Sequence, residues 1–456
     1  MSGMRRTGIL LPVFSLPSPY GIGTLGKAAF DFVDFLAGSG QSMWQILPMG
    51  PTGASGSPYQ SLSAFAGNPY HVDLDLLERD GLLTKRDLKP IRDAVADNMR
   101  VNYLIQAELR MPLLMKAASR FVPDADYRKF RRGNAWWLDD FSRGASAVSI
   151  IQYFFQLQWQ RLKRYANARG VGVVGDLPFY IGAESADYKA HPELFEVDAE
   201  GSPRLIAGVP PDAFAQDGQI WNDPVYDWKE HARTGYDWWI RRFIQADVMY
   251  DFCRVDHFRA FAAYFAIPAG RPASEGEWVP GPGKKFIDAV KKSVPALGVI
   301  AEDLGIITED VHALREYSGY PGMRVLQFAF APGKDSSYLP HNHVKDCVCY
   351  TGTHDNPTLR EWSDKLPKHE SDFARVYLGT DRKGLSEAML RAALGSVADV
   401  VIVPLQDYMG LGARARINTP STVSRKNWTW RLAPGDLTAG LSGRILDLTR
   451  MYGRAD

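Results

Sequence analysis

Four carboxylates in this sequence stand where a short apolar run gives way to polar residues. Asp176 closes VGVVGD, Asp256 closes DFCRVD, Glu302 lies in GVIAED, and Asp355 follows CVCYTG beside His354. One such acid can simply cap the next helix. Four in the same kind of position ask for another reason. Clustered carboxylates raise one another's pKa unless cations offset them. That separation lets one group carry a proton while its neighbour stays ionised. Arg254, two residues before Asp256, shares its face of a strand and supplies a cation. Carboxylates paired in this way are the working groups of glycosyl chemistry. Asp303, next to Glu302, reads instead as a helix cap or a support for its neighbours.

The elements that must position these groups are visible as eight short apolar runs. They are GILLPV (8–13), MWQILP (43–48), VGVVGD (171–176), DFCRVD (251–256), GVIAED (298–303), MRVLQF (323–328), CVCYTG (347–352) and VVIVPLQD (400–407). Runs this short suit strands buried on both faces of a parallel sheet. Helical periodicity lies between several of them, for example AAFDFVDFLA and GYDWWIRRFIQADVM. Eight strands alternating with helices predict a (β/α)8 TIM barrel spanning residues 1–456, with no separate C-terminal β domain. In such a barrel the active site sits at the C-terminal strand ends, where the acids stand. Residues 71–150 read as a helical insertion after the second strand, YLIQAELRMPLLMKAASRF being the clearest helix. Residues 177–235, rich in Pro, Gly, Asp and aromatics, read as a loop insertion after the third strand. Long ordered loops are usually functional.

Composition narrows the partners. The formal net charge is +1, with Lys and Arg scattered, so a nucleic-acid partner is not expected. No apolar run reaches the roughly 18 residues of a membrane helix, and the N-terminal stretch, broken by Pro12 and Pro17, makes a poor signal peptide. The three cysteines, Cys253, Cys347 and Cys349, read as buried thiols in a reducing compartment, which predicts a cytoplasmic protein. No Cys or His cluster has zinc spacing, so no metal is expected. Twelve Trp and 20 Tyr exceed ordinary core needs and suit flat, stacked ligands such as sugars.

The stretch YGIGTLG carries Gly21, Gly23 and Gly26 in the pattern G-x-G-x-x-G. A dinucleotide fingerprint needs its first glycine directly after the strand and an acid at the end of the next one. Here SLPSPY intervenes and the second run ends in Pro48. The glycines therefore read as a tight loop into the first barrel helix, with no nucleotide cofactor.

FCRVDHFRAF, IAEDLG and GTHDN resemble, in this order, three signature regions of the α-amylase clan. GDLPFYIG fits the first region in the form that lacks an Asn-His pair, which argues against the calcium site of typical α-amylases. With SLPSPYGIGTLG, WQILPMGPTGASGSPYQSLSAFAGNPY, GVPPDAFAQDGQIW, MRVLQFAF, QDYMGLGARARIN and NWTWR, the set resembles the amylomaltase, or 4-α-glucanotransferase, family from about Gly8 to Arg431. The resemblance implies retaining, two-step transglycosylation on maltooligosaccharides and α-1,4-glucans, without a cofactor. By motif position it implies that Asp256 is the nucleophile, Glu302 the general acid/base, and Asp355 the stabiliser of the transition state. It implies that Asp176, Arg254 and His354 hydrogen-bond the sugar at the cleavage point. Tyr59 would stack on that sugar, while Gln219 and Trp221 would contact the acceptor side.

The sequence departs from that pattern at Ala331, where an acid is frequent. It departs again at Asn222 and Asp223, where Gly-Asn is expected, and at Ser421 and Lys426, where glycines are usual. All lie in expected acceptor or rim loops. A hydrolase of the same clan would share every catalytic residue, and remains the alternative. A non-catalytic glucan-binding barrel would require loss of Asp256, Glu302 or Asp355, and all three are present. Oligomeric state is not readable from the sequence.

Overall fold

A computed structural model describes residues 5–455 apart from 54, 96–98, 212–216, 306 and 332–335. Twelve strands occur in chain order among these residues. They are β1 (Arg6–Leu10), β2 (Met43–Gln45), β3 (Gly172–Leu177), β4 (Leu205–Val209), β5 (Gln219–Pro224), β6 (Phe252–Val255), β7 (Ala263–Pro268), β8 (Glu277–Pro280), β9 (Gly298–Ala301), β10 (Gly322–Val325), β11 (Cys347–Tyr350) and β12 (Val400–Pro404). Eight of them, β1, β2, β3, β6, β9, β10, β11 and β12, close a barrel in that order, each parallel to its neighbours. The fold is a (β/α)8 TIM barrel, and each of the eight apolar runs overlaps one of its strands.

The runs are apolar throughout because both strand faces are covered. Leu10, Met43, Val174, Ile300, Met323, Val325, Val348, Tyr350, Val400 and Ile402 fill the barrel interior as one buried cluster. The alternate residues, such as Ile9, Trp44, Cys253, Cys349 and Val401, join the larger core between strands and helices. The cysteines are buried and unpaired, and burial pushes the Cys347 and Cys349 thiols up to about 12. All but β3 of the barrel strands stop earlier than their runs. Residues Leu326–Phe328 form a 3-10 turn, and Leu405–Tyr408 a short helix. Apart from Asp176, which lies within β3, the polar ends of the runs are thus rim and not strand.

Between β2 and β3 the chain is mostly helical, ending in the long helix Ser146–Ala168. Tyr103–Arg120 is helical throughout, with a π segment over Gln106–Arg110 ahead of Met111–Arg120. Pro112 lacks an N–H and crowds the carbonyl four residues back, which accounts for the widened turn. The reading of 177–235 as loop needs correction. It contains β4 and β5, which pair antiparallel with β7 and β8 in a four-stranded sheet of order β5-β4-β7-β8. β4 and β7 are largely buried while β5 and β8 are more open, each of the four ends at or beside a proline, and two of the four come from beyond β6. β4 and β7 are themselves apolar runs, LIAGV and AYFAIP, but among the described residues neither leads directly into an α-helix as a barrel strand does.

The glycine-rich loop is a packing device. Gly21 has a φ of 77°. A Cβ on Gly23 would stand 1.8 Å from the Val13 carbonyl oxygen, and one on Gly26 would stand 2.0 Å from Asp73 Oδ2. Thr24 Oγ1 also donates to Asp73 Oδ2, at 2.6 Å. The protein's own carboxylate therefore lies against the start of helix Lys27–Gly38, where a phosphate would have to sit. Among the described residues, no helix is long and apolar enough to cross a membrane.

Candidate active site

Period-two geometry sends Asp176 on β3 and Arg254 on β6 into the mouth of the barrel, above Val174 and Phe252. Val174 to Leu177 pair with Phe252 to Val255 in register, which sets Asp176 opposite Arg254. Both side chains are buried, and Arg254 Nη1 donates to both Asp176 oxygens at 2.9 Å. The other end of the guanidinium, Nη2, lies 2.8 Å from Asp256 Oδ1. Tyr59 Oη donates to Asp176 Oδ2 at 2.7 Å. One cation thus ties two carboxylates together. Burial pushes the Asp176 carboxyl up and Arg254 pulls it back. A guanidinium flanked by two acids stays charged, so the carboxylate it grips in two places is read as ionised.

Glu302 meets a different environment. It follows β9 directly, as Asp256 follows β6, and the strands pair with Val255 opposite Ala301. Its Oε2 accepts the backbone N–H of His257 at 2.7 Å, and its Oε1 that of Leu304 at 3.0 Å. Among the described residues no Lys or Arg ion-pairs with it. Burial raises its carboxyl to about 7. The more distant Arg254 opposes that shift, and the Asp256 charge adds to it. His257 has a φ of 49°, a left-handed turn that points its N–H across to the neighbouring strand. Burial lowers its imidazole to about 4, so the ring is neutral at ordinary pH.

Asp355 and His354 come from the loop after β11. Asp355 Oδ1 accepts from Asn418 Nδ2 at 2.6 Å, and its carbonyl accepts from Arg416 Nη2 at 2.8 Å. His354 Nε2 lies 3.3 Å from Asp355 Oδ2. The buried His354 ring stacks on Tyr59 with centroids 5.1 Å apart and an interplanar angle of 17°, and Trp428 lies 5.7 Å away. One face of Tyr59 is therefore occupied by protein.

Gln219 and Trp221 sit on β5, half buried, with Trp221 Nε1 donating to Gln219 Oε1 at 3.2 Å. The Trp221 ring stands edge-on to His257, centroids 5.0 Å apart, so the added sheet reaches the rim beside Glu302. The middle of the GVPPDAFAQDGQIW stretch, 212–216, lies outside the described residues. Asp303 points elsewhere. Its Oδ1 accepts from Met323 N at 2.7 Å, and its Oδ2 lies 3.4 Å from Arg315 and 3.5 Å from Arg324. It ties β9 to β10. Asn222 and Ser421 keep φ values of 62° and 59°, so two positions where glycine was expected retain a left-handed backbone.

The structure gathers Tyr59, Asp176, Arg254, Asp256, Glu302, His354 and Asp355 at one rim, with Gln219 and Trp221 on its flank. Sequence reasoning gave no role to His257, Arg416, Asn418 or Trp428. Each lies in a motif already noted, but its relevance comes from a partner distant in the chain or on another strand.

A parallel barrel with unlike carboxylates gathered at its C-terminal rim defines an enzyme of the glycoside-processing class. The sequence profile described as 4-alpha-glucanotransferase matches residues 11–147 and 142–438. A 4-alpha-glucanotransferase of Streptococcus pneumoniae serotype 4 is 42% identical over 497 residues, covering 99% of this chain and 97% of that protein. One from Thermus thermophilus is 39% identical over 493 residues, covering 97% of each. The solved amylomaltase from Streptococcus agalactiae in complex with acarbose aligns with a TM-score of 0.94 at 34% identity, covering 99% of this chain and 100% of that one. The chain belongs to the 4-alpha-glucanotransferase family.

Proposed function

We propose that this enzyme moves α-1,4-glucan segments between maltooligosaccharides by retaining double displacement, with Asp256 as nucleophile and Glu302 as acid/base. The observation that carries the assignment is the unlike setting of the two carboxyls. Asp256 lies 2.8 Å from the Arg254 guanidinium, a charge-assisted contact that aims its carboxyl oxygens. Glu302 has no cation partner among the described residues and is raised to about 7, so it can hold a proton at neutral pH. The two follow a matched pair on adjacent strands. Strand spacing of about 4.8 Å agrees with the roughly 5 Å between the carboxyls of retaining enzymes.

In the first step an Asp256 oxygen attacks the anomeric carbon. The bond to the leaving oxygen breaks, and Glu302 gives that oxygen its proton. In the second step the Glu302 carboxylate takes the proton of an acceptor hydroxyl, whose oxygen attacks the anomeric carbon and frees Asp256. Asp355, aimed by Asn418 and His354, faces the positive charge that develops on the sugar. Asp176, Arg254 and His354 hold the same sugar ring, and Tyr59 lines its site. The acarbose bound by the S. agalactiae amylomaltase supports an oligosaccharide ligand for this enzyme. Unpaired buried thiols agree with a cytoplasmic setting.

Incubation with maltotriose alone tests the reading. Glucose plus longer oligomers, with almost no gain in reducing ends, is the expected result. Reducing ends that rise in step with maltotriose consumption would make the protein a hydrolase.

A further inference from the structure

The wall beyond Trp221 carries two polar groups that the described residues leave without partners. Tyr180 comes three residues after β3, and its side chain is 7% exposed. Its ring lies 6.1 Å from that of Trp221 and 6.2 Å from that of His257. Its hydroxyl hydrogen-bonds to no described residue. Asp223, at the far end of β5, is half buried and has neither a hydrogen-bond donor nor a cation among the described residues. The two groups are neighbours. A Cβ on Gly182 would stand 3.9 Å from Asp223 Oδ1, and the Asp223 charge opposes ionisation of the Tyr180 phenol, adding to burial. Burial alone raises the Asp223 carboxyl, to about 7. The pairing of β5 with β4 is irregular here, and left-handed Asn222 turns the chain between Trp221 and Asp223.

A polar group that the described residues leave unpaired is open to a partner supplied by a ligand. A phenol can donate and accept, and a carboxylate accepts from two donors. Together they match the hydroxyl-lined edge of a sugar, whereas an indole offers chiefly a flat apolar face.

We propose that the Tyr180 hydroxyl and the Asp223 carboxylate together bind hydroxyls of the incoming glucan acceptor, next to the Trp221 platform. This rests on the transferase reading above and adds the groups by which an acceptor sugar is recognised. Because the acceptor enters only at the second step, the pair governs how well a sugar competes with water for the glucosyl-enzyme.

The test charges the enzyme with α-glucosyl fluoride and follows transfer to glucose and to its monodeoxy analogues. Tyr180→Phe and Asp223→Asn should each raise the KM for glucose by up to about ten-fold, the loss expected for one hydrogen bond. Native enzyme should discriminate against at least one deoxy analogue, and the variants should lose that discrimination, which a merely structural role would not produce. If Asp223→Asn fails to fold, Tyr180→Phe carries the same two readouts. A glucose KM within about two-fold of native in the folded variants, or unchanged discrimination, overturns the proposal. Fluoride release without any transfer by native enzyme would sink the transferase reading itself, and this proposal with it.

Discussion

The backbone N–H of His257 donates to Glu302 Oε2 across 2.7 Å. The residue directly after Asp256 therefore holds the carboxyl that follows the neighbouring strand. The left-handed turn at His257 makes that reach possible. The relative placement of the two carboxyls is built into one backbone segment and does not depend on a flexible loop.

Asp256→Asn should lower turnover of maltotriose by several orders of magnitude, since the covalent route is lost. It should also lower the pKa of Glu302, because the Asp256 charge is one of the causes that raise it. Steady-state rates and a carboxyl titration by NMR check the two parts. A loss of only about ten-fold would contradict the nucleophile assignment.

The first step needs Glu302 protonated. With its carboxyl at about 7, kcat/KM for maltotriose should fall as pH rises through about 7. Glu302→Gln should abolish that alkaline limb. It should also impair glucans far more than glucosyl fluoride, whose leaving group needs little protonation. Equal impairment of both donors would count against the acid role.

Asn418→Ala removes the donor that aims Asp355 Oδ1. Misplacement of a reacting group by about 1 Å can cost on the order of 10²-fold, so kcat should fall by up to that factor. The thermal midpoint should move little. A kcat equal to native would show that Asp355 is aimed by His354 and the loop alone.

Trp221→Ala should raise the hydrolysed fraction of the products. Sugar acceptors would lose a stacking surface while water loses nothing, and holding an acceptor is what gives it an effective concentration above that of the solvent. The ratio of new reducing ends to glucose released from maltotriose measures it, and an unchanged ratio would remove Trp221 from the acceptor site.

Gly23→Ala should destabilise the fold by about 1–3 kcal/mol or more, because the new methyl group collides with the Val13 carbonyl and backbone must shift. Chemical denaturation compares the two proteins. Native stability in the variant would mean that the first barrel loop packs less tightly than its geometry indicates.

The barrel was legible in the sequence because parallel strands covered on both faces leave short, unbroken apolar runs. Val174 faces the barrel interior while Val173 faces the helices, and both must be apolar. The strand-end position of Asp176, Asp256, Glu302 and Asp355 was legible for the same reason: polar residues resume where the barrel opens. The antiparallel sheet was not legible. β5 is largely open to solvent, and β7 and β8, which complete the sheet with β4, follow another barrel strand, so no local pattern joins them. Nor could spacing foretell how one arginine is shared. Arg254 lies two residues from Asp256 in the chain, yet its guanidinium also grips Asp176 on the adjacent strand, while among the described residues Glu302 has only backbone donors. Asn418 reaches Asp355 from another loop altogether. Residue types and periodicity determined where acids could stand. Only the tertiary structure decided which acid is paired and which is left to hold a proton, because burial and charge act through space and not along the chain.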